Sequence, residues 1–126
     1  MQHLKFWVLA LLGLAACRAH AAGDAVAGKA AFAPCASCHQ VGPSARAGFG
    51  PQLNGIIGRP AGATADYTYS AAMKNSKIVW TEQTLAAFIK DQNSVVPGTR
   101  MRFASWGYGD QKIADLLAYL RTFQAR

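Results

Sequence analysis

Hydrophobic side chains fall at helical spacing near the end of the chain. Ile113, Leu116, Leu117 and Leu120 sit at i, i+3, i+4 and i+7, on one face of a helix that starts near Asp110. A second stripe, Leu85, Phe88 and Ile89, follows Thr81, a suitable N-cap, and predicts a helix to about Asp91. Ala25 to Ala33 is rich in alanine and preceded by Asp24, another capping residue, which predicts a first helix there. Ser70 to Asn75 predicts a shorter one. No stretch alternates with a period of two and no internal repeat occurs, so the fold class is all-α. Between Gly42 and Ala65, Gly and Pro punctuate a long segment that carries no sustained period. Such a segment in a small domain is better explained by wrapping around something than as a self-supporting loop.

One apolar run stands apart from this pattern. Phe6 to Ala16 is an unbroken stretch of apolar residues and glycine, preceded by His3 and Lys5 and followed by Ala19-His20-Ala21, a small-x-small cleavage site. These features predict an export leader over residues 1–21 and a mature domain over residues 22–126, located in the periplasm. The run is shorter than the roughly 20 residues a spanning helix needs. Leu14-Ala15-Ala16-Cys17 also resembles a bacterial lipobox, which would place a lipid on Cys17. The ordinary cleavage site just downstream disfavours that alternative, so contact with a membrane is expected only through partner complexes unless Cys17 is lipidated.

The length of 126 residues allows one small domain and excludes a large multidomain enzyme. Domains this short often lean on a disulfide, metal or cofactor. Removing Lys5 and Arg18 with the leader takes 13 basic residues against 6 acidic to 11 against 6, a balance of +5. There is no Lys/Arg run or nucleic-acid motif, and export argues against nucleic acid as a partner. An acidic docking patch on another protein suits the charge better.

The mature chain keeps few sulfur or imidazole ligands: Cys35, Cys38, His39, Met73 and Met101. The first three form Cys35-Ala36-Ser37-Cys38-His39, a CxxCH motif and the signature of c-type haem attachment. Two thiols three positions apart lie together on a helical turn and can add to the two vinyl groups of a porphyrin. The next residue then meets the iron through its imidazole. A thioredoxin-like redox pair would need a preceding strand, and the sequence before Cys35 is helical in propensity. Structural zinc would need a fourth ligand. For the opposite face of the iron the candidates are the two methionines. Met73 lies in a short helical stretch, where Met commonly fills core, whereas Met101 follows Val95-Val96-Pro97-Gly98-Thr99-Arg100, a loop that can wrap over the open face. Met101 is therefore the expected sixth ligand.

At this point the mature chain resembles a class I cytochrome c, from Gly28 to Phe123. The similarity is carried by Gly28-Lys29-Ala30-Ala31-Phe32 before the haem motif and Gly50-Pro51-Gln52-Leu53-Asn54-Gly55 after it. Gly58-Arg59, Tyr67-Thr68-Tyr69-Ser70, Trp80, Pro97 to Met101 and Leu116 to Leu120 complete it. The resemblance implies three main helices and a short one wrapped around one covalently bound haem c. Its N- and C-terminal helices would cross where Gly28 and Phe32 meet Leu116 and Tyr119. It implies that the Pro51 carbonyl accepts from His39, that Arg59, Tyr69, Trp80 and Thr99 serve the haem propionates, and that Phe88 and Phe103 line the distal side. Such a protein is no enzyme. It is a monomer that shuttles single electrons between a redox donor and acceptor docked at an exposed haem edge. The lysines that ring that edge in mitochondrial-type relatives are missing here, and Arg100 and Arg102 flank Met101 instead. Trp106 and Tyr108 are either core packing or docking contacts. Two other classes compete: a haem sensor or peroxidase-like protein with a labile sixth ligand, and a structural domain whose Cys pair forms a strained disulfide.

Overall fold

The computed structural model describes residues 23–125, so the expected leader, its cleavage site and Cys17 lie outside the described residues. Among the described residues five α-helices follow one another: α1 (Ala25–Phe32), α2 (Ala71–Lys74), α3 (Glu82–Lys90), α4 (Gln92–Val95) and α5 (Asp110–Arg121). A single 3₁₀ turn, Cys35–Ser37, lies just after α1.

The helix starts follow from their caps. Asp24 accepts from the Val26 and Ala27 amides, Ser70 from Met73, and Thr81 and Thr84 form a reciprocal capping box at the head of α3. The expected helix through Asp91 ends one residue sooner. Asp91 takes an extended conformation (φ −152°) and its carboxylate accepts from the Ser94 amide, starting α4, a second short helix that the sequence pattern does not predict. The residues after Asp91, Gln92-Asn93-Ser94, are polar and carry no apolar period, so only the cap forms this turn.

α1 and α5 cross as expected, and the crossing depends on glycine. A Cβ on Gly28 would lie 1.9 Å from the Asp115 carbonyl oxygen and 2.8 Å from Tyr119 Cβ, so only a bare Cα permits this approach. The rings of Phe32 and Tyr119 pack with centroids 5.5 Å apart. The core joins Ile113, Leu116, Leu117 and Leu120 of α5 to Leu85, Phe88 and Ile89 of α3, so both predicted apolar faces meet inside. Burying a side chain of this size stabilises by roughly 1.5–3 kcal/mol. The irregular segment between the 3₁₀ turn and α2 is held by paired backbone bonds. Arg59 and Trp80 exchange Trp80 N–H to Arg59 O (2.9 Å), flanked by Gly58 N–H to Trp80 O and Ala61 N–H to Ile78 O. Among the described residues the only β-type pairing is the isolated antiparallel bridge between Pro60 and Val79.

Candidate functional site

The wall that carries the CxxCH motif is built by short-range geometry. The Cys38 and His39 amides both donate to the Cys35 carbonyl, at 3.1 and 2.9 Å, so one turn brings both thiols and the imidazole together. Cys35 is half-buried and Cys38 exposed, and both are free thiols. Burial pushes the Cys35 thiol up from its ordinary value. His39 Nδ1 lies 2.8 Å from the Pro51 carbonyl oxygen. That carbonyl can only accept, so Nδ1 carries the proton and Nε2 is left with its lone pair. Burial holds the His39 pKa below its usual value against the opposing effect of the Pro51 bond, and the Arg59 charge adds to the lowering. The ring is thus kept neutral, the form that ligates a metal. Gly50 lies flat against it: a Cβ there would sit 2.6 Å from His39 Cε1.

His39 and the two cysteines face a cavity of about 440 Å³. Apolar side chains make most of its lining: Phe32 from α1, Leu53 and Ile56 from the long loop, Leu85 and Phe88 from α3, Leu116 and Leu120 from α5. Every site residue expected from the sequence lines this one space: Cys35, Cys38, His39, Arg59, Tyr69, Trp80, Thr99 and Met101. Met73, the methionine judged to be core filler, lines it too and packs against the core.

Arg59, Tyr69 and Thr99 are already hydrogen-bonded within the protein. The Arg59 guanidinium donates to the carbonyls of Gln52 (2.8 Å) and Asn54 (3.1 Å), which fixes its plane at the cavity edge. Tyr69 OH pairs with Thr64 Oγ1 at 2.5 Å, and its ring meets Tyr67 edge-on. Trp80 is buried with its ring 4.9 Å from Phe88. Thr99 is buried, and its hydroxyl accepts from the Met101 amide at 3.3 Å. Met101 follows a turn in which the Thr99 amide donates to Val96 O and the Gly98 amide, at a residue with φ +82°, donates to the Asn93 side chain.

Phe103 departs from expectation. Phe88 lines the cavity, but Phe103 borders a neighbouring cleft, because its ring packs edge-on against Tyr108 and its amide is drawn to Gln92. The pair Trp106 and Tyr108 also divides. Tyr108 is core, its hydroxyl donating to the Ala31 carbonyl at 2.7 Å, while Trp106 is 88% exposed. Gln92 escaped the sequence reading altogether. An amide in a polar run gives no signal, yet its side chain is buried and makes three hydrogen bonds.

The donor set fits a c-type haem. Two thiols and a neutral imidazole share one turn, the space beside them is apolar, and a thioether and an arginine stand at its border. Among the described residues, no three His, Cys, Asp or Glu side chains form a group that could hold a metal ion.

Comparison with known proteins leads the same way. The cytochrome c family model matches residues 25–124. Cytochrome c2 of Blastochloris viridis is 45% identical over 120 residues, covering 94% of this chain and 93% of the relative. Cytochrome c-550 of Nitrobacter winogradskyi is 46% identical over 101 residues, covering 80% and 92%. Among solved structures, cytochrome cH from Methylobacterium extorquens superposes with a TM-score of 0.72 at 42% identity, covering 79% of this chain and 99% of its own. Cytochrome c2 from Rhodospirillum centenum gives 0.75 at 31% identity, covering 82% and 100%.

Proposed function

The chain belongs to the cytochrome c family, and from that premise we propose that it is a periplasmic electron shuttle whose haem iron is ligated by His39 and Met101. Membership carries covalent haem c attached through Cys35 and Cys38, an electron carrier's role and not an enzyme's, and redox proteins as partners. The observation that carries the finer reading is the convergence of the CxxCH turn and Met101 on one apolar cavity, with His39 Nδ1 tied to Pro51.

When bound, the haem supplies a one-electron couple that a thioether ligand biases towards the reduced state. Each wall of the chain has a part in using it. The Pro51 carbonyl fixes the His39 ring and strengthens Nε2 as a donor. The leucines and aromatic rings exclude water, so the charge change meets little solvent reorganisation. Arg59, Tyr69, Trp80 and Thr99 are the proposed partners of the propionates. An anion out of water needs a hydrogen-bonded cation, and Arg59 stands rigidly at the cavity edge to provide one.

The shuttle works as a monomer, with residues 1–21 serving as its export leader. Donor and acceptor dock near the cavity mouth, where Phe49 is 89% exposed and Arg100 and Arg102 add positive charge. Lys90 is already paired with Asp110 and Arg121 with Glu82, and Lys112 sits over the Tyr108 ring, so these cations add little to steering. Optical spectra of the exported holoprotein, oxidised and reduced, with and without CO, test the ligand set. The expected result is a ferric methionine-sulfur charge-transfer band that a Met101→Ala variant lacks, and no CO shift in the unmodified protein. A CO-binding spectrum in the unmodified protein would move it to the sensor or peroxidase-like class.

A further inference from the structure

Two polar side chains are buried in the core among the described residues, Thr99 and Gln92. Thr99 belongs to the turn before Met101. Gln92 lies outside the cavity lining, on the first residue of α4, and its amide joins two parts of the chain that no other buried side chain links by hydrogen bonds. Because Asp91 turns the chain extended, the end of α3 is left with carbonyls that a continuing helix would have satisfied. Gln92 Nε2 donates to two of them, Phe88 O at 2.8 Å and Ile89 O at 2.9 Å. With the amide's orientation fixed in this way, Oε1 points to the segment after Met101 and accepts from the Phe103 amide at 3.1 Å.

The packing around that segment explains why such a bond matters. Beside it, between α4 and residues 101–104, lies an open cleft of about 420 Å³ bordered by Asp91, Gln92, Asn93, Thr99, Met101 and Phe103. This space is open, so apart from the packing of Met101 and Phe103 against the core the segment is held in place by hydrogen bonds. Upstream, Met101 is held by the turn through Thr99 and Asn93. Downstream, the ties to the end of α3 are the Gln92 clamp and an exposed bond from Ser105 Oγ to Lys90 O. We propose that Gln92 is a positioning residue for the sixth ligand: its buried amide clamps the segment after Met101 to the end of α3, and this clamp sets how readily Met101 gives up its place. The inference rests on the reading of Met101 as that ligand.

The test is capture of imidazole by the oxidised holoprotein, followed optically, for the unmodified chain, Gln92→Met and Met101→Ala. Methionine keeps the length and volume of Gln92 while removing all three hydrogen bonds. The expected result is haem content and helicity as in the unmodified chain, with imidazole bound about tenfold more tightly by Gln92→Met, the effect of losing about one hydrogen bond's net worth. Met101→Ala should bind it more tightly still. If Gln92→Met binds like the unmodified chain while Met101→Ala binds far more tightly, the clamp is overturned and Met101 stands as ligand. If Met101→Ala also binds like the unmodified chain, Met101 is not the ligand and both readings fall. Amide hydrogen exchange on the unmodified holoprotein needs no variant. The clamp requires Phe103 to exchange at least about tenfold more slowly than exposed Ala104, and equal rates overturn it.

Discussion

The two walls of the cavity are made by different means. On the CxxCH side the thiols and imidazole are set by backbone geometry: one 3₁₀ turn, a carbonyl twelve residues away on the imidazole, and a glycine pressed flat on the ring. On the Met101 side an irregular loop is held by one backbone bond, Thr99 N–H to Val96 O, and by the side chains of Thr99, Asn93, Arg100 and Gln92, with an open cleft beside it. The first wall is rigid because moving it would break backbone geometry. The second holds only as long as a few hydrogen bonds do, each worth about 1 kcal/mol. With Met101 as the proposed ligand, a carrier built this way keeps its cofactor through one wall and tunes it through the other.

The largest effect should come from removing the anchor of the rigid wall. A Cys35→Ser, Cys38→Ser double variant is expected to lose covalent haem altogether, leaving a colourless polypeptide after denaturing extraction. Colour retained under those conditions would overturn the attachment. Next, Met101→Ala should keep its haem but lower the reduction potential, on the order of 0.1 V within the roughly 0.8 V that axial ligands command, as read by redox titration. If its haem were lost as well, the division of labour between the walls would fail. Gly50→Ala strikes the rigid wall by crowding the proposed ligand His39 without replacing it. Its Cβ would need to displace the His39 ring from 2.6 Å, an overpacking cost of about 1–3 kcal/mol, which thermal unfolding would show as a drop of roughly 4–8 °C per kcal/mol.

The smallest effect lies away from both walls, where α1 is pinned to α5. The Asp115 carboxylate accepts from the Asp24 amide at 2.8 Å and from Gln111, which holds its pKa below the usual aspartate value. A depressed folded pKa means that this contribution is complete above the unfolded value of about 3.9. It is lost as the pH falls through the lower folded value. Asp115→Asn should therefore flatten the acid end of the stability profile and leave spectra and potential unchanged. A shifted potential would show that the helix crossing reaches the site.

What the sequence made legible follows the same division. The helices of the core were readable because their caps and apolar stripes are short-range signals, and Cys35, Cys38 and His39 because their chemistry needs a fixed spacing. Arg59, Tyr69, Trp80 and Thr99 could be placed only through family resemblance, since nothing local says which distant loop residues share a cavity. α4, the packing of Phe103 on Tyr108 beside the cavity and the buried amide of Gln92 escaped. They come from one event, the extended conformation at Asp91, which ends α3 early and brings Gln92 under the loop. A polar run carries no periodicity to announce that break.

The crossing of α1 and α5 also fixes an order in time. The thiols and imidazole sit early in the chain, whereas Met101, Leu116 and Leu120, which close the opposite side of the same cavity, come near its end. As the polypeptide emerges amino end first, its attachment motif is exposed while the far side of the cavity is still unmade. The haem's route to Cys35 and Cys38 is therefore widest before folding finishes, and the last helix, locking onto Gly28, shuts the door behind it.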